Sequence, residues 1–180
     1  MDIANASLLD EATAAGEAMQ MAYNVHNSKR SKFFVSKHIF PQNLEVMKTR
    51  AYGIGLELVI DEPANFDFAN AEQYCGVIIQ NPDNLGNLHD LSELSAKLKP
   101  SKVTLCVIAD ILSLAEVKTP GEMGVDIAVG SVQRFGVPMC FGGPHPGYLA
   151  CKDDFKRKIP GRIIGVSKDC FGDSAYRMAL

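Results

Sequence analysis

Gly76-Val77-Ile78-Ile79-Gln80 and Val103-Thr104-Leu105-Cys106-Val107-Ile108-Ala109 are two short, almost wholly apolar runs. Each is too short for a typical helix, and an apolar run without alternation is the mark of a strand covered on both faces. Between them, Asp90-Leu91-Ser92-Glu93 reads as a capping-box-like helix start, with the helix ending before Pro100. Further strands are read at Asp126 to Gly130 and Gly147 to Cys151, and before the pair at Lys32 to Val35 and Leu56 to Ile60. Pro41 to Ala51 reads as a helix with Leu44, Met47 and Ala51 inward and Gly53 as its stop. Another helix starts at Ser7-Leu8-Leu9-Asp10 and runs to about Tyr23, with Asp10, Glu11 and Glu17 placed to suit its N-terminal dipole. Its apolar face takes in Leu8, Leu9, Ala12, Ala15, Met19, Ala22 and Tyr23, and the run of alanines predicts a close neighbour. Strands alternating with helices imply an α/β fold with a mostly parallel sheet. If the chain is a cut piece, one face of the apolar strands is expected to lie bare.

The 180 residues are 47% hydrophobic and 22% charged, which suits one globular domain and excludes a disordered chain. No apolar run approaches the roughly 20 residues of a membrane span, so no membrane partner is expected. Residues 1–90 hold 6 Lys/Arg against 12 Asp/Glu, and residues 91–180 hold 12 against 9. That imbalance hints at an internal or inter-subunit electrostatic contact but provides no dense basic face for nucleic acid. The five cysteines (Cys75, Cys106, Cys140, Cys151, Cys170) form no CxxC pair, and the four histidines are dispersed. A disulfide framework and a metal centre are therefore not expected. Met1 to Asn5 carries no signal-peptide pattern, and the chain stops at Tyr176-Arg177-Met178-Ala179-Leu180 as if cut rather than finished.

In such a sheet, chemistry collects at the carboxyl ends of the strands. Asp110 stands at one such end, either as a cap for the residues that follow or as a carboxylate at the ligand edge. After the next strand, Ser131 to Gly147 forms an irregular loop carrying Arg134 and His145, each readable as an anion or substrate contact or as structural. Neither Gly142-Gly143-Pro144-His145-Pro146-Gly147 nor Gly53-Ile54-Gly55 fits a phosphate-loop or dinucleotide pattern. Lys152 to Arg162 mixes basic residues with Asp153 and Asp154 and reads as a solvated or interface face.

Whole motifs go further. Asn5-Ala6-Ser7-Leu8-Leu9-Asp10-Glu11-Ala12-Thr13-Ala14-Ala15, Gly130-Ser131-Val132-Gln133-Arg134-Phe135-Gly136-Val137-Pro138, Gly142-Gly143-Pro144-His145 and Pro160-Gly161-Arg162-Ile163-Ile164-Gly165-Val166-Ser167-Lys168-Asp169 closely resemble the P-protein family of the glycine cleavage system. The resemblance runs along the whole chain and points to the N-terminal half of that much longer enzyme. It implies a three-layer α/β segment of a pyridoxal-phosphate fold type I (aminotransferase-like) large domain, residues 1–180 forming one partial segment cut at both ends. It also implies the intact activity: glycine is decarboxylated on pyridoxal 5'-phosphate and the aminomethyl group passes to the lipoyl H-protein. Partners would then be glycine, the H-protein, and the C-terminal half or its partner subunit.

By the same resemblance the cofactor lysine lies outside this chain, and Arg134 stands where the active half has it. Arg stays protonated and cannot form a Schiff base. Asp110 matches the aspartate that holds the pyridine nitrogen. No catalytic residue and no bound cofactor are expected here: Asp110 and Arg134 are degenerate equivalents, and His145 is an interface candidate facing the other half. Lys168 is the one rival attachment point, but it lies far along the chain from Asp110. Ala12 and Cys140 replace residues that are usually Gly in the family. The expected role is scaffold and interface, inactive alone, in the mitochondrial matrix of a eukaryote or the cytoplasm of a bacterium. The alternatives are a free-standing α/β module binding a small phosphorylated ligand and a non-catalytic interaction domain.

Overall fold

The computed structural model describes residues 1–5 and 7–179. Ala6 and Leu180, each part of a stretch quoted above, lie outside the described residues. The seven strands of the main sheet are β1 (Ile3–Ala4), β2 (Lys32–Ser36), β3 (Glu57–Asp61), β4 (Tyr74–Asn81), β5 (Thr104–Ala109), β6 (Ile127–Ser131) and β7 (Gly147–Cys151), in the order β1-β7-β6-β5-β4-β2-β3. Pairs from β3 across to β6 are parallel, and β7 runs against both of its neighbours. Helices α1 (Glu11–Val25) and α2 (Pro41–Ile54) cover one face, and the short α3 (Ser92–Leu98) packs on the other. A separate antiparallel ribbon joins β8 (Ile163–Lys168) to β9 (Ser174–Ala179).

Every residue of β4 and β5 is buried. Alternate side chains feed two cores: Ile78, Cys106 and Ile108 meet α1 and α2, while Val77, Ile79, Leu105 and Val107 meet Leu91 and Leu98 on the α3 side. A large side chain buried in this way contributes about 1.5–3 kcal/mol. The expectation of a bare strand face is therefore corrected, because α3 and the loops around it supply the third layer. Cys75 and Cys106 serve as core atoms, and burial pushes the Cys75 thiol up to about 12.

Local chemistry sets the ends of the helices. Asp10 caps α1: the Thr13 N–H donates to Asp10 Oδ1 at 2.7 Å, and Thr13 Oγ1 accepts from the Asp10 N–H at 3.1 Å. Glu17 lies beyond the first turn and pairs with Arg50 of α2 at 2.6 Å. The close neighbour of α1 is α2, where a Cβ on Gly16 would come within 2.6 Å of Arg50 Cδ. Leu9, read as part of the apolar face, is exposed because it precedes the first helical turn.

Helix α2 runs past Gly53 and stops at Gly55, whose φ of 68° is the left-handed value that a C-terminal cap favours. No capping box starts α3. Asp90 Oδ1 instead accepts from the Ser92 N–H in a tight turn. The charge imbalance along the sequence is not discharged internally: among the described residues, Lys118–Asp90 alone joins a cation of residues 91–180 to an acid of residues 1–90. In the mixed run, Lys152 pairs with Asp126 and Lys156 with Asp153, while Phe155 and Ile159 pack on the core. No described helix is long and apolar enough to cross a membrane.

Candidate functional site

The carboxyl ends of β4, β5 and β6 end at Asn81, Ala109 and Ser131, side by side. The starts of α1 and α2 meet them there, because each follows a strand or loop that runs toward that edge. Between these ends lies a cavity of about 240 Å3 lined by Glu11, Phe40, Gln80, Pro82, Asp110, Ser131 and Arg134.

Asp110 has two functions. Its Oδ1 accepts from the Leu112 N–H at 3.1 Å, capping a turn, while its Oδ2 lies 2.9 Å from Arg134 Nη2. The capping reading holds, although the following segment is a turn and a short 3-10 helix (Ser113–Ala115) rather than an α-helix, and the same carboxylate lines the cavity. The pair lines the cavity, and with the Arg134 side chain 59% exposed it is worth at most about 1 kcal/mol. His145 lies on the same edge but outside the cavity. Its Nδ1 is 2.8 Å from Gln133 Oε1, so adjacent residues Gln133 and Arg134 hold His145 and Asp110 respectively. Lys168 sits on the β8–β9 ribbon, a sheet separate from the one that bears Asp110.

Five residues of the site went unread in the sequence, two of them Phe40 and Pro82 of the cavity lining. Asn43, fully buried, donates from Nδ2 to Glu11 Oε1 at 2.8 Å and to Gln80 Oε1 at 3.0 Å, and its own Oδ1 has no partner among the described residues. Tyr148 on β7 donates its hydroxyl to the Ala109 carbonyl at 2.9 Å, which holds the strand end next to Asp110. Gln80 was quoted only as the end of an apolar strand. The signal for it was a buried amide closing that run, and the signal for Asn43 was an amide four residues before Met47 on the inward stripe of α2.

Burial raises the Glu11 pKa above an ordinary glutamate near 4.5, and the nearby charges of Asp110 and Asp10 push the same way, against the amides of Asn43 and Gln80. The unfolded carboxyl ionises first, so the folded state loses stability as pH rises from about 4.5 through the folded pKa. Glu11→Gln is expected to remove that slope. Urea unfolding at about pH 4 and about pH 7 measures it, and identical slopes in both proteins would contradict the assignment.

The loop from Ser131 to Gly147 carries a strained residue. Cys140 is exposed with φ of 41°, in the left-handed region that favours glycine. Cys140→Gly is expected to stabilise the protein by about 1 kcal/mol, read as a raised urea midpoint. A lowered midpoint would mean that the thiol makes an unrecognised contact.

The model of the family described as "Glycine cleavage system P-protein" matches residues 1–180. "Glycine dehydrogenase (decarboxylating) 2" of Pseudomonas putida is 51% identical over 180 residues, which are all of this chain and 18% of that protein. "Glycine dehydrogenase (decarboxylating)" of Flavobacterium johnsoniae is 50% identical over 185 residues, covering 100% of this chain and 19% of the relative. The chain thus spans about a fifth of the curated relatives it matches. Among solved structures, an inhibitor-bound glycine decarboxylase (P-protein) superposes with TM-score 0.88 at 34% identity, covering the whole chain and 41% of that one. Cystathionine gamma-lyase from Lactobacillus plantarum gives TM-score 0.66 at 14% identity over 87% of this chain and 40% of that one, a likeness of fold alone.

Proposed function

The chain belongs to the glycine cleavage system P-protein family, and from that premise we propose that it is part of the cofactor-free half of a pyridoxal-phosphate-dependent glycine decarboxylase. The whole enzyme would release carbon dioxide from glycine and pass the aminomethyl group to the lipoyl arm of an H-protein. Residues 1–180 would scaffold the large domain and build the face on which the cofactor-bearing half docks. The pyridoxal phosphate would be attached to a lysine outside these residues.

The observation that carries this reading is the Arg134–Asp110 pair. A cofactor lysine must lose its proton to form a Schiff base, and guanidinium does not. Here the guanidinium also takes the carboxylate that would face a pyridine nitrogen. The rest of the cavity fits the cofactor no better. The α1 N-terminus, the natural seat for a phosphate, is capped by the Asp10 carboxylate. Glu11, the first residue of that helix, adds negative charge beside it. No step of the reaction is therefore placed in this cavity. The same charges disfavour a module for small phosphorylated ligands.

Docking at the carboxyl edge is supported by its apolar rim. Leu85 and Leu88 after β4, Leu112 after β5, and Phe135, Met139 and Phe141 after β6 are all exposed. Scattered apolar residues are ordinary on a surface, but several from three successive loops on one edge mark an interaction face. The exposed His145 stands beside the last group.

In the full polypeptide that carries these residues, Met139→Asp with Phe141→Asp is expected to lower carbon dioxide release from glycine by roughly tenfold or more, with bound cofactor unchanged. Unchanged turnover would contradict a docking role. Residues 1–180 alone are expected to self-associate in sedimentation, less so with the same double change. A monodisperse wild-type monomer would count against the exposed face.

A further inference from the structure

We propose that the cavity at the carboxyl edge, lined by Glu11, Phe40, Gln80, Asp110 and Arg134, binds a small zwitterionic amino acid the size of glycine or alanine, without covalent chemistry. The inference goes beyond the scaffold role and rests on the reading that no cofactor fills this cavity.

Charge selects the ligand. A cavity of about 240 Å3 has room for a small molecule. The lining holds two carboxylates and one guanidinium. A simple anion would meet Arg134 but be repelled by Glu11 and Asp110, and a simple amine would meet the carboxylates but face the guanidinium. A molecule with both charges satisfies all three groups.

The groups are already positioned to receive it. Asn43 Nδ2 fixes Glu11 Oε1 at 2.8 Å and ties it to Gln80, so the carboxylate is held in place before any ligand arrives. Asn43 is fully buried, and its Oδ1 has no partner among the described residues. Asp110 Oδ1 is spent on the Leu112 N–H, and its Oδ2 faces Arg134. Arg134 Nη2 is engaged with Asp110, and its remaining N–H groups make no hydrogen bond to the described residues. A fork with donors to spare is the usual partner of a carboxylate. The ammonium would sit against Glu11 and Asp110, the carboxylate on Arg134, and the Cα against Phe40 and Pro82.

The test is equilibrium dialysis of labelled glycine against the full polypeptide that carries residues 1–180, with its cofactor in place. Wild type is expected to bind one more glycine per chain than Arg134→Gln or Glu11→Gln, each shown to be folded by its melting curve. Glycolate and methylamine, each lacking one of the charges, are expected to compete for that extra site at least roughly tenfold less well than alanine, since a charge-assisted hydrogen bond is worth about 1.5–3 kcal/mol. Equal stoichiometry in wild type and both variants would overturn the proposal, as would glycolate competing as well as alanine. A pyridoxyl group found within residues 1–180 would instead overturn the reading beneath it, so the two failures are distinguishable.

Discussion

Gly130→Ala is expected to lower the unfolding free energy by about 3 kcal/mol, the upper end of what overpacking costs. A Cβ at this position of β6 would stand 2.2 Å from the Ala109 carbonyl oxygen and 2.7 Å from Tyr148 Cε1. Neither neighbour can retreat cheaply. Ala109 ends β5, fully buried and paired with β4, and its carbonyl accepts the Tyr148 hydroxyl at 2.9 Å. The requirement at Gly130 is space alone, since its φ is not positive. The change is also expected to displace Asp110, the next residue after Ala109, and so to weaken any binding at the carboxyl-edge cavity. Urea unfolding measures the loss, and a change within about 0.5 kcal/mol would mean that β5 and β6 part more easily than this packing implies.

Arg134→Lys is expected to leave the full polypeptide with the same cofactor content as wild type, not with a second equivalent of pyridoxal phosphate. Restoring the amine restores one group only. A lysine at this position would face Asp110, whose negative charge favours the protonated form that cannot react. The phosphate would still lack its seat, because Asp10 accepts from the Thr13 N–H at 2.7 Å and fills the first turn of α1. Glu11, the first residue of that helix, would still repel it. Visible absorbance per chain is the measurement, and a doubled signal in the variant would show that the missing lysine was the only defect.

The sheet was legible where burial leaves a one-dimensional trace. β4 and β5 are covered on both faces, so their sequences lack alternation, and both were found to within two residues. β7 was found as well, but its antiparallel direction was not, since direction depends on the connection and not on strand composition. The ribbon β8–β9 was missed. Its Ile164, Val166, Tyr176 and Met178 alternate with small or polar residues as on a strand, but all four are exposed, so no core ties them to the rest of the pattern.

The site was legible in part. Asp110 and Arg134, 24 residues apart, were linked by family resemblance, and nothing in their spacing alone would join them. Glu11 was read as a helix-dipole acid, whereas its place beside the buried Asn43 and Gln80 depends on how α2 crosses α1. Such a crossing is a property of packing, invisible until the helices are set on the sheet. The helix stop at Gly55 rather than Gly53 has the same kind of cause. Both glycines permit a stop, and the chain turns where the next strand must begin.

The central claim is that these residues belong to the half of the enzyme that does not carry the cofactor. The most direct measurement is to incubate the chain with pyridoxal phosphate, reduce with borohydride, digest, and locate pyridoxyl groups by mass. The expected result is no stoichiometric adduct anywhere in residues 1–180, Lys168 included. A stoichiometric pyridoxyl group on Lys168, or on any other lysine of these residues, would contradict the claim.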